Sequence, residues 1–291
     1  MNSNKDSFPI KEFIPLDKSW LNRMGVLDII YGYSDIREFL DSQADLSDDL
    51  LAVRRAAEDW KKDVPVDVGE SGTLYRLLQF ASWKLNLNKV FIKNGTLKDR
   101  SMTNDPNIMN FSLEELLKLD NETSQWATAS VLMGNEQRIP NPPNKLQETF
   151  DAVLHWNKQR EAGLVWDTRY DETIKIQAET FLRLLRGEEA AFVSQHSEDY
   201  CFARVFNYMT KEEGEKMFPS VKGHETNRIE EMERAIAQAE AGESVDSKDH
   251  RVVQTLAMWG KVNKKEIKFT YPEAVNKSWT LFWDFLLQTS S

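Results

Sequence analysis

The sequence predicts a helix-rich mixed α/β (α+β) fold in which short strands lead through polar loops into helices. Amphipathic helical runs recur along the chain, as in residues 46–62 (LSDDLLAVRRAAEDWKK). Two short runs rich in β-branched and aromatic residues, KVFIK at 89–93 and EIKFTY at 266–271, favour strands. Polar loops with Gly, Ser, Thr or Asp recur before the helices. Alternation of strands and helices is typical of α/β proteins.

Composition restricts the class of protein. A chain of 291 residues suits one large domain or two moderate ones, and 41% hydrophobic with 29% charged residues is typical of a soluble globular protein. A formal net charge of −10 argues against a nucleic-acid partner. The single cysteine, Cys201, rules out an internal disulfide and a cysteine metal cluster. Neither a membrane-spanning run nor a signal-peptide core is seen, so we expect a cytoplasmic protein without a membrane partner.

Caps and helix breakers place the elements of the first half. Pro9 and Pro15 predict an extended lead-in, after which a helix begins near residues 18–23. Ser47 is the expected N-cap of the helix at 46–62. A loop with two glycines at 67–76 leads into a helix that runs through residue 83. Ser112 and Glu115 form a capping box, and two further helices begin near 121–126 and 145.

The second half is read in the same way. The helix at 145–161 is expected to end at Gly163, and AAFVS at 190–194 favours a third strand. Cys201 is expected to be a small core residue. Further helices are predicted at 171–186, 199–209, 226–240, 251–259 and 277–287.

Hydroxyl and cationic side chains gather at several predicted helix starts. Free N–H groups at a helix start bind anions, so these segments are candidate anion sites, although such residues are also ordinary caps. The stretch 222–251 combines Glu225 and Arg228 at one end with Asp249, His250 and Arg251 at the other. A carboxylate beside cationic groups suits anion binding with proton transfer, whereas the alternative is a solvated charged helix.

In their order along the chain these segments resemble motifs of the 5-enolpyruvylshikimate-3-phosphate (EPSP) synthase family. Gly69–Arg76 resembles the family's Gly-Asn-[SA]-Gly-Thr-x-x-Arg loop, and Asp249-His250-Arg251 is similar to its Asp-His-Arg element. Eight segments carry the resemblance: 17–23, 69–76, 100–102, 123–125, Tyr170, 224–228, 249–251 and 272–278.

The resemblance implies a reaction and roles for individual residues. The enolpyruvyl group of phosphoenolpyruvate would pass to the 5-hydroxyl of shikimate 3-phosphate, with release of phosphate, in aromatic amino acid biosynthesis without a cofactor or metal. Glu225 would deliver the proton, Asp199 would act as base with Glu198 as the alternative, and Lys18 would relay a proton. The implied substrate ligands are Ser19, Arg23, Gly72, Thr73, Arg100, Thr123, Ser124, Gln125, Tyr170, Arg228, His250, Arg251 and Lys277.

The resemblance also implies a monomer with two domains built from βαβαββ-type repeats. Residues 17–170 would form the shikimate-phosphate domain, and residues 171–291 with 1–16 a reduced, phosphoenolpyruvate-side domain. Three substitutions make the implied anion site less positive: Glu70 for Asn, Asp167 for Ser and His224 for Lys. The alternative is therefore a non-catalytic or altered-acceptor relative that binds a phosphorylated ligand or a partner.

Overall fold

The computed structural model describes residues 8–100, 102–119, 124–134, 142–143, 146–163, 168–194, 196–218 and 227–289. The chain divides into two compact units. One, here the N-proximal unit, spans Leu16–Arg169. The other, here the C-proximal unit, begins at Tyr170 and includes the segment that ends at Pro15. The described residues are mostly helical with a few short strands, which is a mixed α/β fold.

The N-proximal unit is built from seven described helices and one pair of strands. In chain order they are α1 Lys18–Ile30, α2 Asp35–Asp41, α3 Asp48–Asp59, β1 Val66–Asp67, α4 Gly72–Lys84, β2 Phe91–Ile92, α5 Leu113–Leu119, α6 Gln125–Leu132 and α7 Gln147–Ala162. Two 3-10 helices, Gly95–Asp99 and Pro106–Asn110, follow β2.

The C-proximal unit has a similar mixture of elements. They are α8 Glu172–Leu185, α9 Tyr200–Val205, α10 Lys211–Met217, α11 Arg228–Ala241, β3 Ser244–Val245, α12 His250–Val262, β4 Lys268–Phe269 and α13 Phe282–Gln288. Three 3-10 helices, Ile10–Glu12, Ser197–Asp199 and Pro272–Lys277, complete its described elements. The helices predicted at 199–209 and 277–287 are therefore shorter than expected and are joined to 3-10 turns.

Local signals account for several helix ends. Asp17 caps α1, since its Oδ1 accepts a hydrogen bond from the Trp20 amide at 3.0 Å. The predicted capping box is confirmed at α5, where Ser112 and Glu115 exchange hydrogen bonds. Gly163 ends α7 as predicted, with φ of 62°. Ser47 stands at the N-cap of α3, but its hydroxyl makes no capping hydrogen bond.

Both described strand pairs are parallel, and each is connected through one helix. β1 pairs with β2, and α4 connects them. β3 pairs with β4, and α12 connects them. The N-proximal and C-proximal units therefore contain one βαβ motif each. The strands predicted at 89–93 and 266–271 are confirmed as β2 and β4. The strand predicted at 190–194 is wrong, because that segment has no regular structure. There the Ala190 carbonyl accepts a hydrogen bond from the Tyr208 hydroxyl.

The same succession of elements occurs in both units. Each has a helix, a two-residue strand, a 13-residue helix, a second two-residue strand and a 3-10 helix. An arginine in the first helix of each succession also contacts the strand region: Arg55 of α3 pairs with Asp67, and Arg234 of α11 donates to the Asp246 carbonyl. This repeat brings polar residues to the N-terminus of the 13-residue helix in each unit.

Each unit has its own apolar core. One contiguous cluster, from Trp20 to Trp156, lies within the N-proximal unit. Two clusters in the C-proximal unit include Phe13 and Phe285 in one and Tyr200 and Leu256 in the other. Among the described helices, none is long and apolar enough to cross a membrane.

Candidate functional site

In the C-proximal unit the first turn of α12 gathers buried charges around Asp249. Its Oδ1 accepts a hydrogen bond from the Arg251 amide at 2.9 Å and so caps the helix. Its Oδ2 accepts from Nε of Arg228, at the start of α11, at 2.8 Å. The Asp249 amide donates to Oγ of Ser247 at 3.1 Å. One carboxylate therefore ties the starts of α11 and α12 together.

The electrostatics of this pair favour two ionised groups. Burial raises the pKa of the Asp249 carboxyl, but Arg228, the Arg251 amide and Lys277 lower it more, and the net pKa is below its usual value. Burial lowers the pKa of Arg228, and Asp249 more than compensates, so the net shift is upward. Asp249 is therefore a fixed negative charge at neutral pH.

Arg251 is the most deeply buried cation of this group. Only 1% of its side chain is exposed, and its Nη2 forms an ion pair with the Glu198 carboxylate. Its Nη1 is buried and has no hydrogen-bond partner among the described residues. An unmet guanidinium donor in a buried position favours an anionic ligand or an ordered water there.

Lys277 and His250 complete this group. Lys277 ends a 3-10 helix, and its charge helps to lower the pKa of Asp249. Ser278, the residue after Lys277, is held by Gln254 of α12, whose Nε2 donates to its Oγ at 3.1 Å. His250 Nδ1 lies 4.0 Å from Oδ1 of Asp249. We call Glu198, Arg228, Asp249, His250, Arg251 and Lys277 the α12 cluster.

Asp199 and Glu198, the two candidate bases, stand in different surroundings. Asp199 is buried, and its oxygens accept hydrogen bonds from Nε2 of Gln177 at 3.0 Å and from the His196 amide at 3.1 Å. Those contacts fix the turn before α9, which is a structural task. Glu198 instead contacts Arg251 and stays partly exposed. Of the two acids, Glu198 lies within the α12 cluster.

A second polar group lies at the start of α4 in the N-proximal unit. Gln125 of α6 donates from Nε2 to Oγ1 of Thr73 at 2.7 Å, and its Oε1 accepts from Nη1 of Arg76. Gly72 gives room to a further cation, because a Cβ there would lie 2.8 Å from Nη1 of Arg100. Thr73, Arg76, Arg100 and Gln125 with Gly72 form what we call the α4 cluster.

An acid approaches Arg100 through Thr96. Arg100 Nη2 donates to Oγ1 of Thr96 at 3.0 Å. The Glu70 carboxylate accepts from both the amide and the hydroxyl of Thr96, each at 3.4 Å. Thr96 therefore bridges Glu70, one of the three substituted positions, and Arg100. The Glu70 carboxylate reduces the positive charge of the α4 cluster.

The predicted cations of α1 are paired with acids. Lys18 Nζ lies 3.1 Å from Oδ2 of Asp49, on α3. Arg23 donates from Nη1 to the Ser19 carbonyl at 2.8 Å and pairs with Glu148 at 3.0 Å. These pairs hold α1 against α3 and α7, so they have a structural role whether or not a ligand binds.

The remaining predicted residues are placed as follows. Ser124 is buried and takes the left-handed conformation, with φ of 52°, directly before α6. The ring of Tyr170 is about half exposed, at 49%. Thr123 and Glu225, and the substituted positions Asp167 and His224, lie outside the described residues. Arg76 was missed as a site residue, although it is the last residue of the 69–76 motif.

Comparisons with known proteins found no relative of this chain. No protein-family model, curated protein or solved structure matches the chain. Within the described part of the chain, no group of three or more His, Cys, Asp or Glu side chains is arranged to hold a metal ion. The α4 and α12 clusters are therefore the candidate functional groups of the described residues.

Proposed function

We propose that the protein is an enolpyruvyl transferase that converts phosphoenolpyruvate and shikimate 3-phosphate into 5-enolpyruvylshikimate 3-phosphate and phosphate. The observation that carries the proposal is the α12 cluster. Arg228, Arg251 and Lys277 come from three separate elements, and all three lie in residues 171–291, which the resemblance makes the phosphoenolpyruvate-side domain. The charges of Arg228 and Lys277 and the backbone amide of Arg251 lower the pKa of Asp249, which is below its usual value.

The charges of the α12 cluster suit a polyanion. Its three cations face two carboxylates, those of Glu198 and Asp249. The buried Nη1 of Arg251 retains an unmet donor among the described residues. A guanidinium in a low-dielectric position binds phosphate or carboxylate oxygens strongly and is not deprotonated. We assign phosphoenolpyruvate to this cluster.

The α4 cluster provides the donors expected for a phosphorylated or hydroxylated ligand. Arg76, Arg100 and Gln125 converge on the first turn of α4, where free helix N–H groups also favour an anion. In the proposed enzyme, shikimate 3-phosphate contacts Gln125 and the α1 residues Lys18, Ser19 and Arg23. The proposed fold is a reduced form of the two-domain enolpyruvyl-transferase fold. The described residues of the N-proximal and C-proximal units contain one βαβ motif each.

The proposed chemistry is an addition followed by an elimination. The 5-hydroxyl oxygen forms a bond to C2 of phosphoenolpyruvate while C3 takes up a proton, and the tetrahedral adduct then loses that proton and phosphate. Glu225 is assigned as the acid that serves C3. Glu198 is the better-placed base than Asp199, because it contacts Arg251, whereas Asp199 is held by Gln177 and His196. Fixed cations stabilise the anionic adduct more than the reactants.

A phosphate-release assay tests the proposal. Purified protein is mixed with phosphoenolpyruvate and shikimate 3-phosphate beside an active EPSP synthase, and phosphate is measured over time. We expect turnover that Lys277→Met lowers at least about 100-fold, since a charge-assisted contact is worth about 1.5–3 kcal/mol and more in a transition state. Lys248→Met is the matched control, because Lys248 is exposed and lies over the Tyr271 ring. Absence of phosphate release contradicts the proposal.

One observation favours a second candidate, a relative with an altered acceptor or without catalysis. Glu70 reaches the Thr96 hydroxyl that Arg100 also contacts, and Lys18 and Arg23 are already paired with acids. These acids weaken any site for a doubly charged phosphate. Calorimetry separates the candidates: binding of phosphoenolpyruvate or shikimate 3-phosphate without turnover supports the second, and turnover supports the first.

A further inference from the structure

An open cleft lies on the N-proximal unit on a face of α4 that the proposed reaction does not use. Its volume is about 360 Å³. Tyr75, Gln79 and Trp83, four residues apart on α4, line one side of it. Phe91 of β2 and Lys93 line another. Volumes of about 300–1,000 Å³ are usual for small-molecule sites, so the cleft suits a ligand with a single ring system.

Two polar side chains of α4, Gln79 and Tyr75, line the cleft. Gln79 is 8% exposed and Tyr75 is 6% exposed. The amide of Gln79 and the hydroxyl of Tyr75 make no hydrogen bond to another described residue, and neither is among the buried side-chain atoms without a partner, so both reach solvent at the cleft. Both groups can therefore hydrogen-bond to a ligand or to water in the cleft.

The charge of the cleft is opposite to that of the chain. Lys89 and Lys93 line it, and none of its lining residues carries a carboxylate. Neither lysine has an ion pair with a described residue, although the chain carries 47 acidic side chains against 37 Lys and Arg, and Nζ of Lys89 donates to the Lys62 carbonyl at 2.5 Å. Two unneutralised cations in an acid-free cleft favour an anionic group.

Aromatic rings supply the apolar part of the cleft. Tyr75 meets Phe91 edge to face, with centroids 5.5 Å apart, and Lys93 Nζ lies 4.9 Å from the Tyr75 ring centroid. Trp83 also lines the cleft, and its ring is stacked on Trp126 at 5.9 Å and so is fixed in place. Ring faces with a cation beside them bind a flat ring that carries a negative group.

We propose that this cleft binds a small planar aromatic anion. The ring lies against Tyr75, Trp83 and Phe91, and the anionic group faces Lys89 and Lys93. The amide of Gln79 and the hydroxyl of Tyr75 hydrogen-bond to the polar edge of the ring. Two sources share this chemistry, a nucleoside monophosphate and an aromatic carboxylate, and no residue of the α12 cluster takes part.

Isothermal titration calorimetry on the full chain tests this proposal with adenosine monophosphate and with 4-hydroxybenzoate as probes. We expect at least one probe to bind with a Kd below ~1 mM, and binding of only one identifies the source. Adenosine and inorganic phosphate, each lacking one half of the recognised chemistry, should bind at least about tenfold more weakly than adenosine monophosphate if the nucleotide is the ligand.

Variants locate the bound probe. Lys93→Met should weaken binding about tenfold or more, and Gln79→Leu about fivefold, with unchanged thermal unfolding showing that both variants fold. Lys118→Met is the control, because Lys118 is exposed and lies outside the cleft; it should leave the Kd unchanged. The proposal is overturned if neither probe binds below ~1 mM, or if both cleft variants keep the affinity of the unaltered chain.

Discussion

Asp249 holds the starts of two helices together through one buried carboxylate. It accepts hydrogen bonds from Arg228 and from the Arg251 amide, and both of its charged neighbours, Arg228 and Arg251, are buried. Breaking a buried ion pair from one side leaves the other charge uncompensated, which is more costly than the pair itself is stabilising. Asp249 is therefore expected to be a structural residue before it is a ligand contact.

For this reason we expect Asp249→Asn to lower the free energy of unfolding by about 3–5 kcal/mol. Denaturant unfolding followed by circular dichroism measures the change. Glu114→Gln is the matched control, since Glu114 pairs with Lys118 at 2.7 Å on an exposed face of α5, and it should leave the unfolding midpoint unchanged. Equal midpoints for the Asp249 variant and the unaltered chain would contradict the assignment.

Asp28 is expected to make the stability of the folded protein depend on pH. Burial raises its pKa, only partly opposed by the Ile36 amide and Arg160, and the net pKa is above the usual value. The folded state therefore binds the proton more tightly than the unfolded state. Stability from this group is fully present below the unfolded pKa, near 3.8, and is lost as pH rises through the higher folded pKa.

Asp28→Asn isolates this pH effect, because the amide can still accept a hydrogen bond from the Ile36 amide. We expect the stability of the unaltered chain relative to the variant to decrease as pH rises from about 4 through the raised pKa of the folded state. Denaturant unfolding at several pH values, in parallel for both proteins, measures the difference. A difference that is constant, or that grows with pH, would show that the folded pKa of Asp28 is not raised.

At the scale of elements, helices were easier to predict than strands. The helices α3, α7, α8 and α11 lie within a few residues of their predicted positions, because apolar periodicity and caps extend over three or more turns. β1 and β3 have two residues each and were missed, since two residues cannot show an alternating pattern. AAFVS at 190–194 has strand-type composition, yet the Ala190 carbonyl pairs with Tyr208 instead of a neighbouring strand.

Without the resemblance, the candidate site was predictable only as far as its residues are adjacent in sequence. Asp249, His250 and Arg251 form one turn, so their association follows from the sequence itself. The pairing of Arg251 with Glu198 spans 53 residues and depends on how α9 packs against α12. Asp199 was preferred to Glu198 from its position before an apolar helix, and that pattern is equally typical of the structural turn it stabilises.

Two glycines, Gly25 and Gly72, lie against different kinds of neighbour: a packed core side chain in one case and a candidate site side chain in the other. A Cβ at Gly25 of α1 would lie 2.7 Å from Cγ1 of Val53 in the core. A Cβ at Gly72 of α4 would lie 2.8 Å from Nη1 of Arg100, the far end of a flexible side chain. The first contact can be relieved only by moving packed helices, and the second by moving one guanidinium.

We therefore expect Gly25→Ala to lower the free energy of unfolding by about 1–3 kcal/mol, and Gly72→Ala to change it by less than about 1 kcal/mol. In addition, Gly72→Ala should weaken binding of shikimate 3-phosphate, because it displaces Arg100 from the start of α4. Denaturant unfolding and calorimetry measure the two effects. If Gly72→Ala were as destabilising as Gly25→Ala, Arg100 would be part of the packed core and not an adaptable ligand contact.

At the scale of the whole molecule, the chain repeats one arrangement with different polar residues. In the N-proximal unit Arg100 follows the 3-10 helix after β2, and in the C-proximal unit Lys277 ends the 3-10 helix after β4. Each βαβ unit thus places a cation after its second strand and polar residues at the start of its helix. The repeat therefore places two similar polar clusters in one chain, each in a unit with its own apolar core.

The segment before the N-proximal unit belongs to the other core. The Phe13 carbonyl accepts a hydrogen bond from Nε1 of Trp279 at 2.6 Å, and the Phe8 and Phe13 rings contact Phe285. Phe13 and Ile14 are both buried in the C-proximal unit. In contrast, every residue of the N-proximal core cluster lies between Trp20 and Trp156.

Fragments test this division. Residues 16–169 expressed alone should unfold cooperatively, because their core is complete within the fragment. Residues 170–291 alone should be less stable than the same residues with the N-terminal segment supplied as a peptide of residues 1–15. Burial of two large apolar side chains contributes about 3–6 kcal/mol, so adding the peptide should raise the unfolding midpoint in a concentration-dependent manner. A fragment 170–291 indifferent to the peptide would show that Phe13 and Ile14 do not complete its core.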